Sequence, residues 1–215
     1  MGDQGADWAA ERASMVDRLV DAGRIDDERV AAALRAVPRH EFVPEPRREH
    51  AYADRPLPIG DDQTISAPHM VGIMAELLAL SPGESLLEVG TGCGYHAAVT
   101  AELVGAEHVH SVEYSEPLAE RARDTLARLG YGDVSVRVGD GREGWPEHAP
   151  YDAAYLTCAA PEFPPAVVEQ VRPEGRLLAP IGTRNQTLVA ARRRPDGSLA
   201  QTDHGGVRFV RMRGD

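Results

Sequence analysis

The chain has 215 residues, of which 42% are hydrophobic, and this is enough to build one domain with a substantial core. Its 34 acidic residues outnumber 23 basic ones, and the formal net charge of -11 argues against nonspecific binding to nucleic acid or anionic lipid, because phosphate binding needs clustered cations. No apolar run reaches the roughly 18 residues of a membrane span, and the first residues lack the basic-then-apolar order of a signal peptide, so we expect a cytoplasmic protein.

All 23 basic residues are arginine, because the sequence contains no lysine. A strongly acidic surface repels itself at low ionic strength, and molar salt screens that repulsion. We therefore favour adaptation to a salt-rich cytoplasm. The alternative is that a GC-rich genome simply prefers arginine codons.

Cys93 and Cys158 are the only cysteines, too few for a disulfide framework or a thiolate zinc site. Two buried thiols are favoured over a single disulfide. His108 and His110 share one face of a predicted strand, but the nearby carboxylates are not spaced as ligands. We expect no metal.

The first eighty residues are predicted to form helices joined by loops. A helix over Trp8 to Asp21 ends before Gly23, and a second, "DDERVAAALRAV", ends before Pro38. Residues 38–66 are rich in proline and lack periodicity, which predicts a long ordered loop anchored by Phe42, Tyr52 and Ile59; loops of that length are usually functional or disordered. A third helix, "PHMVGIMAELLAL", starts at a proline.

From residue 85 onward, strands alternate with helices of about ten to fifteen residues. The predicted order is strand "SLLEVG", helix "YHAAVTAELVG", strand "HVHSVEY", helix "EPLAERARDTLARLG", strands "VSVRVGD" and "YDAAYLT", helix "PPAVVEQVR", and strands "GRLLAPIG", "TLVAARRR" and "GVRFVRM". This order indicates an α/β fold with a doubly wound, mostly parallel sheet, an N-terminal helical cap and an antiparallel edge. We expect a single domain over residues 1–215, with residues 1–80 forming the helices and a loop and residues 81–215 the α/β core.

The segment "LLEVGTGCGYHAA" carries glycine at alternate positions between a strand and a helix: Gly90, Gly92 and Gly94. Such glycines let the backbone approach a ligand closely, and the helix N-terminus offers free N–H groups. A dinucleotide fingerprint fits poorly, because Tyr95 stands where its third glycine belongs. The simplest alternative is tight strand–helix packing alone.

With Glu88 included, the E-x-G-x-G-x-G form resembles motif I of class I S-adenosylmethionine-dependent methyltransferases. The resemblance implies cofactor binding by residues at the ends of three successive strands: Glu88, Gly90, Thr91, Gly92, Gly94, Glu113, Asp140 and Gly141. Glu113 can accept hydrogen bonds from ribose hydroxyls, and Asp140-Gly141 takes the place where that class contacts adenine. Acidic and glycine elements at three strand ends are hard to explain by packing.

A closer resemblance rests on four segments in order: "PLPIGDDQTISAPHM", "LLEVGTGCGYHAAVTAELVG", "VGDGREGWPEHAPYDAAYLTCAAPEFPPAVVEQVRPEGRLLAPIG" and "VRFV". Together they resemble the protein-L-isoaspartate (D-aspartate) O-methyltransferase family over roughly residues 12 to 212, in the version found in halophilic archaea. The resemblance implies methyl transfer to the free carboxylate of L-isoaspartyl residues in damaged proteins, with S-adenosyl-L-homocysteine as product. From the sequence we also expect a monomer, and the acidic charge argues against a nucleic-acid or membrane partner.

The same resemblance implies that Ser66 holds the acceptor carboxylate, while Thr64 and Ile65 shape the loop. The structural alternative for Ser66 is an N-cap for the helix beginning near Pro68, worth about 1 kcal/mol. His69 is assigned to substrate binding, with a purely structural role as the alternative.

Val207 and Arg208 match the C-terminal segment whose backbone the family uses against the acceptor peptide. Ordinary strand pairing is the alternative, because "VRFV" alternates. Tyr52 and Pro56 either line the peptide groove or anchor the loop.

Three residues depart from the family pattern. Cys93 and His96 stand beside the glycine turn where serine and glutamine are common, and Asp62 adds a negative charge near an anionic substrate. Two rival functions stay open: aspartimide formation on a dedicated precursor peptide, and an inactive cofactor-binding module. A nucleic-acid methyltransferase is disfavoured by the acidic charge.

Overall fold

The computed structural model of the chain describes residues 7–214. Its helices are α1 (Trp8–Asp21), α2 (Glu28–Ala36), α3 (Pro68–Leu78), α4 (Tyr95–Val104), α5 (Glu116–Arg128) and α6 (Pro165–Gln170). Its strands are β1 (Leu57–Gly60), β2 (Gln63–Ile65), β3 (Leu86–Val89), β4 (Val109–Glu113), β5 (Ser135–Val138), β6 (Tyr151–Leu156), β7 (Val171–Ile181), β8 (Gln186–Arg193) and β9 (Leu199–Val207). The predictions about a signal peptide and the domain's start fall partly on residues 1–6, outside the described residues.

Seven strands form one sheet in the order β5-β4-β3-β6-β7-β8-β9, and β1 and β2 form a separate antiparallel hairpin. The pairs β5-β4, β4-β3, β3-β6 and β6-β7 are parallel, whereas β7-β8 and β8-β9 are antiparallel. The predicted fold class is therefore confirmed. Because β3 lies between β4 and β6, the chain reverses its winding direction there, which is where open α/β sheets bind ligands.

The central strands are buried on both faces, as parallel strands covered by helices must be. Leu86 packs into a core shared with helices α1 to α5, and its neighbour Leu87 packs into a second core with α6. Successive residues of this strand thus pack on opposite faces of the sheet.

Polar side chains cap three helices. Asp7 accepts a hydrogen bond from the Ala10 backbone N–H at α1, Asp27 from Arg29 at α2, and Ser115 from Leu118 at α5. Helix α3 begins differently, because its N-cap is Ala67 and the cap position makes no side-chain hydrogen bond. Ser66 does not cap this helix.

The predicted loop over residues 38–66 contains more regular structure than expected. Two 3-10 helices, Arg39–Phe42 and Glu45–His50, precede the β1-β2 hairpin. Phe42, Tyr52 and Ile59 are each 4% exposed, which confirms the predicted anchors. The hairpin escaped prediction because its strands are only 4 and 3 residues long.

The last strand also differs from its prediction. Strand β9 is Leu199–Val207, not residues 206–212, and its hydrogen-bonding partner is β8. Beyond Val207 the Gln186 side chain holds the Phe209 backbone by two hydrogen bonds, and Arg211 forms an isolated parallel bridge with Ala159. The segment therefore leaves the sheet edge and crosses the ends of the central strands.

Among residues 7–214, no helix has the length and apolar character needed to cross a bilayer.

Candidate functional site: a cleft at the switch point of the sheet

A cleft opens at the carboxyl ends of the central parallel strands, where the winding of the sheet reverses. Its walls come from parts of the chain that are distant in sequence: residues 63–66, 71, 89–93, 95–96, 112–114, 141, 157–158 and 210–213. The cleft lies where an open α/β sheet is expected to bind a nucleotide-like cofactor.

The glycine turn forms the floor of this cleft. Gly90 has φ +100°, and a Cβ added there would lie 2.3 Å from the Thr157 Oγ1 atom. Gly92 has φ +57°, and Gly94, with φ +89°, is the N-cap of α4. Glycine is required because the turn needs left-handed backbone conformations and close approach to the strand beside it.

Glu113 ends β4 and is 6% exposed. Its carboxylate accepts hydrogen bonds from the backbone N–H groups of Gly92 and Ser115, both at 2.8 Å. The acid therefore ties the glycine turn to the strand end that lines the cleft. It lines the cleft itself, as a ribose-binding acid must.

Glu88 is fully buried below the turn and does not line the cleft. It accepts hydrogen bonds from the Ser111 and Tyr155 hydroxyls, and Ser111 in turn bonds the Thr91 hydroxyl at 2.6 Å. Burial, assisted by the nearby Glu113, raises the pKa of Glu88 to about 8. Its connection to the cleft runs through Thr91, which does line it.

Asp140 and Gly141, both assigned to the cofactor, follow β5, but Asp140 does not line the cleft. Gly141 lines it, and a Cβ there would lie 2.3 Å from Val89 Cγ1. Asp140 caps the following short turn by accepting from the Arg142 backbone N–H, and it pairs with the Arg142 guanidinium. That ion pair helps to hold the pKa of Asp140 below its ordinary value.

The β1-β2 hairpin delivers the segment that the sequence assigned to the acceptor. Thr64, Ile65 and Ser66 all line the cleft, with Ile65 buried, Ser66 partly buried and Thr64 exposed. Within the described chain, the Ser66 hydroxyl has no hydrogen-bond partner. It is therefore available to a ligand.

Three residues assigned to the substrate lie outside the cleft lining. His69 bonds the Asp54 carboxylate through both its backbone N–H and Nδ1, at 2.9 and 2.8 Å. Val207 pairs with Gln186 at the end of β9, and Arg208 is exposed. Substrate contacts by these three residues stay predictions.

The structure adds lining residues that sequence analysis missed. Val210, Arg211, Met212 and Arg213 come from the C-terminal segment, and Tyr114, Thr157 and Cys158 follow strands β4 and β6. Tyr114, Thr157 and Cys158 directly follow parallel strands, and that position in the sequence could have identified them as lining residues.

The C-terminal segment and the hairpin are joined by an ion pair. Arg213 donates to the Asp61 carboxylate at 2.7 Å and also to the Asp61 carbonyl oxygen. We call this pair the clasp. It links two walls of the cleft across 152 residues of sequence.

A doubly wound sheet with an acid-anchored E-x-G-x-G-x-G turn at its switch point and an antiparallel edge is the arrangement of class I, Rossmann-like, S-adenosylmethionine-dependent methyltransferases. A family model described as "Protein-L-isoaspartate(D-aspartate) O-methyltransferase (PCMT)" matches residues 10–215. The chain belongs to this family. The predicted enzyme class and cofactor are thereby confirmed.

Two named relatives support this family assignment. The chain is 50% identical over 210 residues to protein-L-isoaspartate O-methyltransferase 2 of Archaeoglobus fulgidus, covering 97% of this chain and 95% of the relative. It is 49% identical to the Methanopyrus kandleri protein-L-isoaspartate O-methyltransferase, covering 95% and 92%.

A solved protein-L-isoaspartate O-methyltransferase superimposes with a TM-score of 0.87 at 31% identity, covering 94% of this chain and 66% of that one. A Plasmodium falciparum structure in complex with S-adenosyl-L-homocysteine has a TM-score of 0.82 at 24% identity, covering 94% and 98%, and supports the fold alone.

Proposed function

We propose that this protein transfers the methyl group of S-adenosylmethionine to the free carboxylate of L-isoaspartyl residues in damaged proteins. The resulting ester closes to a succinimide without further catalysis, and hydrolysis returns part of it to aspartate. One observation carries the proposal: Thr64, Ile65 and Ser66, from the family-specific segment, line the same cleft as Gly90 and Glu113.

The residues at the cleft fit the cofactor. Glu113 offers carboxylate oxygens to hydroxyl groups, and the turn from Gly90 to Gly94 brings backbone within reach of a ligand at the N-terminus of α4. When bound, S-adenosylmethionine supplies a methyl group on a sulfonium centre, which is a good leaving group.

The acceptor carboxylate is already ionised at neutral pH, so the protein needs no strong base. Its task is to align the carboxylate and exclude water. The Ser66 hydroxyl can donate a hydrogen bond to one carboxylate oxygen, leaving the other free to attack. The hairpin and the C-terminal segment, joined by the clasp of Asp61 and Arg213, both contribute residues to the cleft in which this alignment would occur.

The two cysteines are partly buried rather than fully buried as predicted, and their raised pKa values disfavour them as methyl acceptors. Burial raises the pKa of Cys93 to about 11 and that of Cys158 to about 12. Both thiols are free and both line the cleft. At neutral pH neither is the nucleophilic thiolate, so the acceptor carboxylate is the anion available for attack.

The decisive experiment measures methyl transfer from labelled S-adenosylmethionine to paired peptides that carry isoaspartate or aspartate at one site. We expect transfer to the isoaspartyl peptide only. Ser66→Ala should reduce it at least about tenfold, because a hydrogen bond to a charged group is lost. Ser81→Ala is the matched control, since Ser81 is exposed near the opposite ends of the strands.

Transfer to neither peptide, with S-adenosyl-L-homocysteine binding intact, would contradict the repair function. That outcome would favour the rival substrate, a dedicated precursor peptide. Equal transfer to both peptides would also refute the proposal.

We further propose that the enzyme is adapted to salt, as in halophilic archaea. The net charge of -11 and the absence of lysine support this, and Asp62 sits exposed at the hairpin turn near an anionic substrate. Repeating the assay from low to multimolar KCl tests it: activity should rise with salt. Activity that falls steadily with KCl would refute it. Cytoplasmic location, a monomeric state and the absence of nucleic-acid, membrane and metal partners remain predictions from the sequence.

A further inference from the structure

His96, the second residue of α4, is a polar side chain in the cleft whose hydrogen bonds are unmade. It is 6% exposed and lines the cleft beside the glycine turn. Neither ring nitrogen has a hydrogen-bond partner among residues 7–214. Its ring packs against Tyr155 of β6, with the centroids 4.6 Å apart.

An orphaned imidazole is costly to bury. Each unsatisfied donor or acceptor costs about 1–3 kcal/mol, and native structures leave few of them. Other unpartnered buried atoms exist, such as Arg39 Nη1 and the Tyr95 hydroxyl, and those two side chains interact through a cation–π contact of the Arg39 guanidinium with the Tyr95 ring. In His96 both polar atoms lack partners in a ring that lines the cleft. The missing partner is therefore a ligand that enters the cleft.

The topology indicates which ligand. The residues assigned to adenosine, Glu113 and Gly141, follow β4 and β5 on one side of β3. His96 packs on β6, on the other side of β3. Helix α3, which follows Ser66 directly, contributes Val71 to the lining, and α3 also contacts β7 on that side. His96 thus lies at the acceptor end of the cleft.

Resting on the proposed function, we propose that His96 donates a hydrogen bond to the isoaspartyl carboxylate and so shares with Ser66 the task of holding the acceptor. The ring is suited to this because burial lowers its pKa to about 3, so the imidazole stays uncharged. An imidazolium would bind the anionic ground state more strongly than a transition state in which the carboxylate loses its charge, and would slow transfer. An uncharged donor positions the group without that penalty.

Two substitutions test the inference. His96→Leu keeps a similar volume but removes both polar atoms, and His96→Gln keeps a donor and an acceptor. For each we would measure KM and kcat with the isoaspartyl peptide, and the Kd of S-adenosyl-L-homocysteine by calorimetry. We expect the leucine variant to raise the peptide KM at least about tenfold with the Kd changed less than about twofold. The glutamine variant should stay within about threefold of wild type.

Recovery of KM in the glutamine variant, which a packing role would not produce, tests the hydrogen bond, and the pH profile tests whether the donor is uncharged. The wild-type KM should be flat between about pH 5.5 and 8, since the ring does not titrate there. A wild-type KM that changes with an apparent pKa near 6.5, and no longer does so in the glutamine variant, would overturn the inference.

The remaining outcomes are separable. A leucine variant with wild-type KM would overturn the inference and leave the proposed function standing. Parallel weakening of KM and of the S-adenosyl-L-homocysteine Kd would make the cofactor the partner of His96, and would also overturn it. A wild-type protein that binds S-adenosyl-L-homocysteine but methylates no isoaspartyl peptide would refute the proposed function together with this inference.

Discussion

The buried acid below the glycine turn should make the stability of this protein fall as pH rises. Glu88 is fully buried, and its pKa of about 8 in the folded state exceeds the ordinary value of 4.5. Because the folded pKa is raised, the folded protein retains a proton that the unfolded chain releases, and stability is lost between about pH 4.5 and 8. At about 1.4 kcal/mol per pH unit, the loss between pH 5 and pH 8 is about 3 kcal/mol.

The substitution Glu88→Gln isolates this effect. Glutamine has nearly the same shape, its oxygen can accept from Tyr155, and its amide can donate to Ser111, which then donates to Thr91. The variant should therefore keep the network and lose the titration. The free energy of unfolding in urea, relative to wild type, should increase by about 3 kcal/mol from about pH 5 to about pH 8.

Glu120→Gln provides the control, because it removes the same charge from an exposed helix surface. The free energy of unfolding of this variant relative to wild type should stay constant over the same pH range to within about 0.5 kcal/mol. If the free energy of unfolding of Glu88→Gln relative to wild type is equally independent of pH, the reasoning is refuted. That result would show that Glu88 has the same pKa in the folded and unfolded states.

Three further predictions concern the turn, the clasp and the opposite end of the sheet. Gly90→Ala should abolish S-adenosyl-L-homocysteine binding measurable by calorimetry. Residue 90 has φ +100°, and the added Cβ would lie 2.3 Å from the Thr157 Oγ1 atom. Retained binding would contradict this prediction. Asp61→Asn should speed S-adenosyl-L-homocysteine release, measured by stopped-flow at low salt, by about two- to fivefold. The effect is small because the ion pair with Arg213 is partly exposed to solvent. Equal release rates for the variant and wild type at low salt would exclude a role for the clasp. His110→Leu should flatten the loss of stability on acidification between about pH 6.5 and 4, because burial and the stacked His148 lower the pKa of His110 to about 4; an unchanged acid slope in urea unfolding would count against it.

The parts of the fold that the sequence predicted well share one property: their signals are local. The alternation of β3, α4 and β4 follows from apolar runs and a glycine turn, and each predicted boundary lies within a residue or two of the structure. The hairpin over Leu57–Ile65 is different. Its strands are too short to show periodicity, and β1 carries Pro58. The turn runs from Gly60 through Asp61 and Asp62, all at positive φ, and only the glycine among them favours that conformation.

The candidate site shows the same division. Motifs located the glycine turn, Glu113 and Ser66, which line one cleft. The pairing of the C-terminal segment with the cleft depends on the Gln186 side chain and on a bridge to Ala159, contacts that no local pattern records. The alternation in "VRFV" therefore predicted a strand where the chain instead crosses the strand ends.

The clasp also has a consequence for cooperativity. Because the cleft is lined by the hairpin and by the C-terminal segment, which the clasp joins across 152 residues of sequence, a ligand that fills the cleft would depend on both segments at once. Ligand that binds only the folded state stabilises it, by about 2.7 kcal/mol at a hundred times its Kd. Here that stabilisation cannot stay local: a chain whose C-terminal segment has frayed has lost one wall of its own binding site. A ligand that fills the cleft would therefore favour molecules whose C-terminal segment is in place over molecules in which it has frayed.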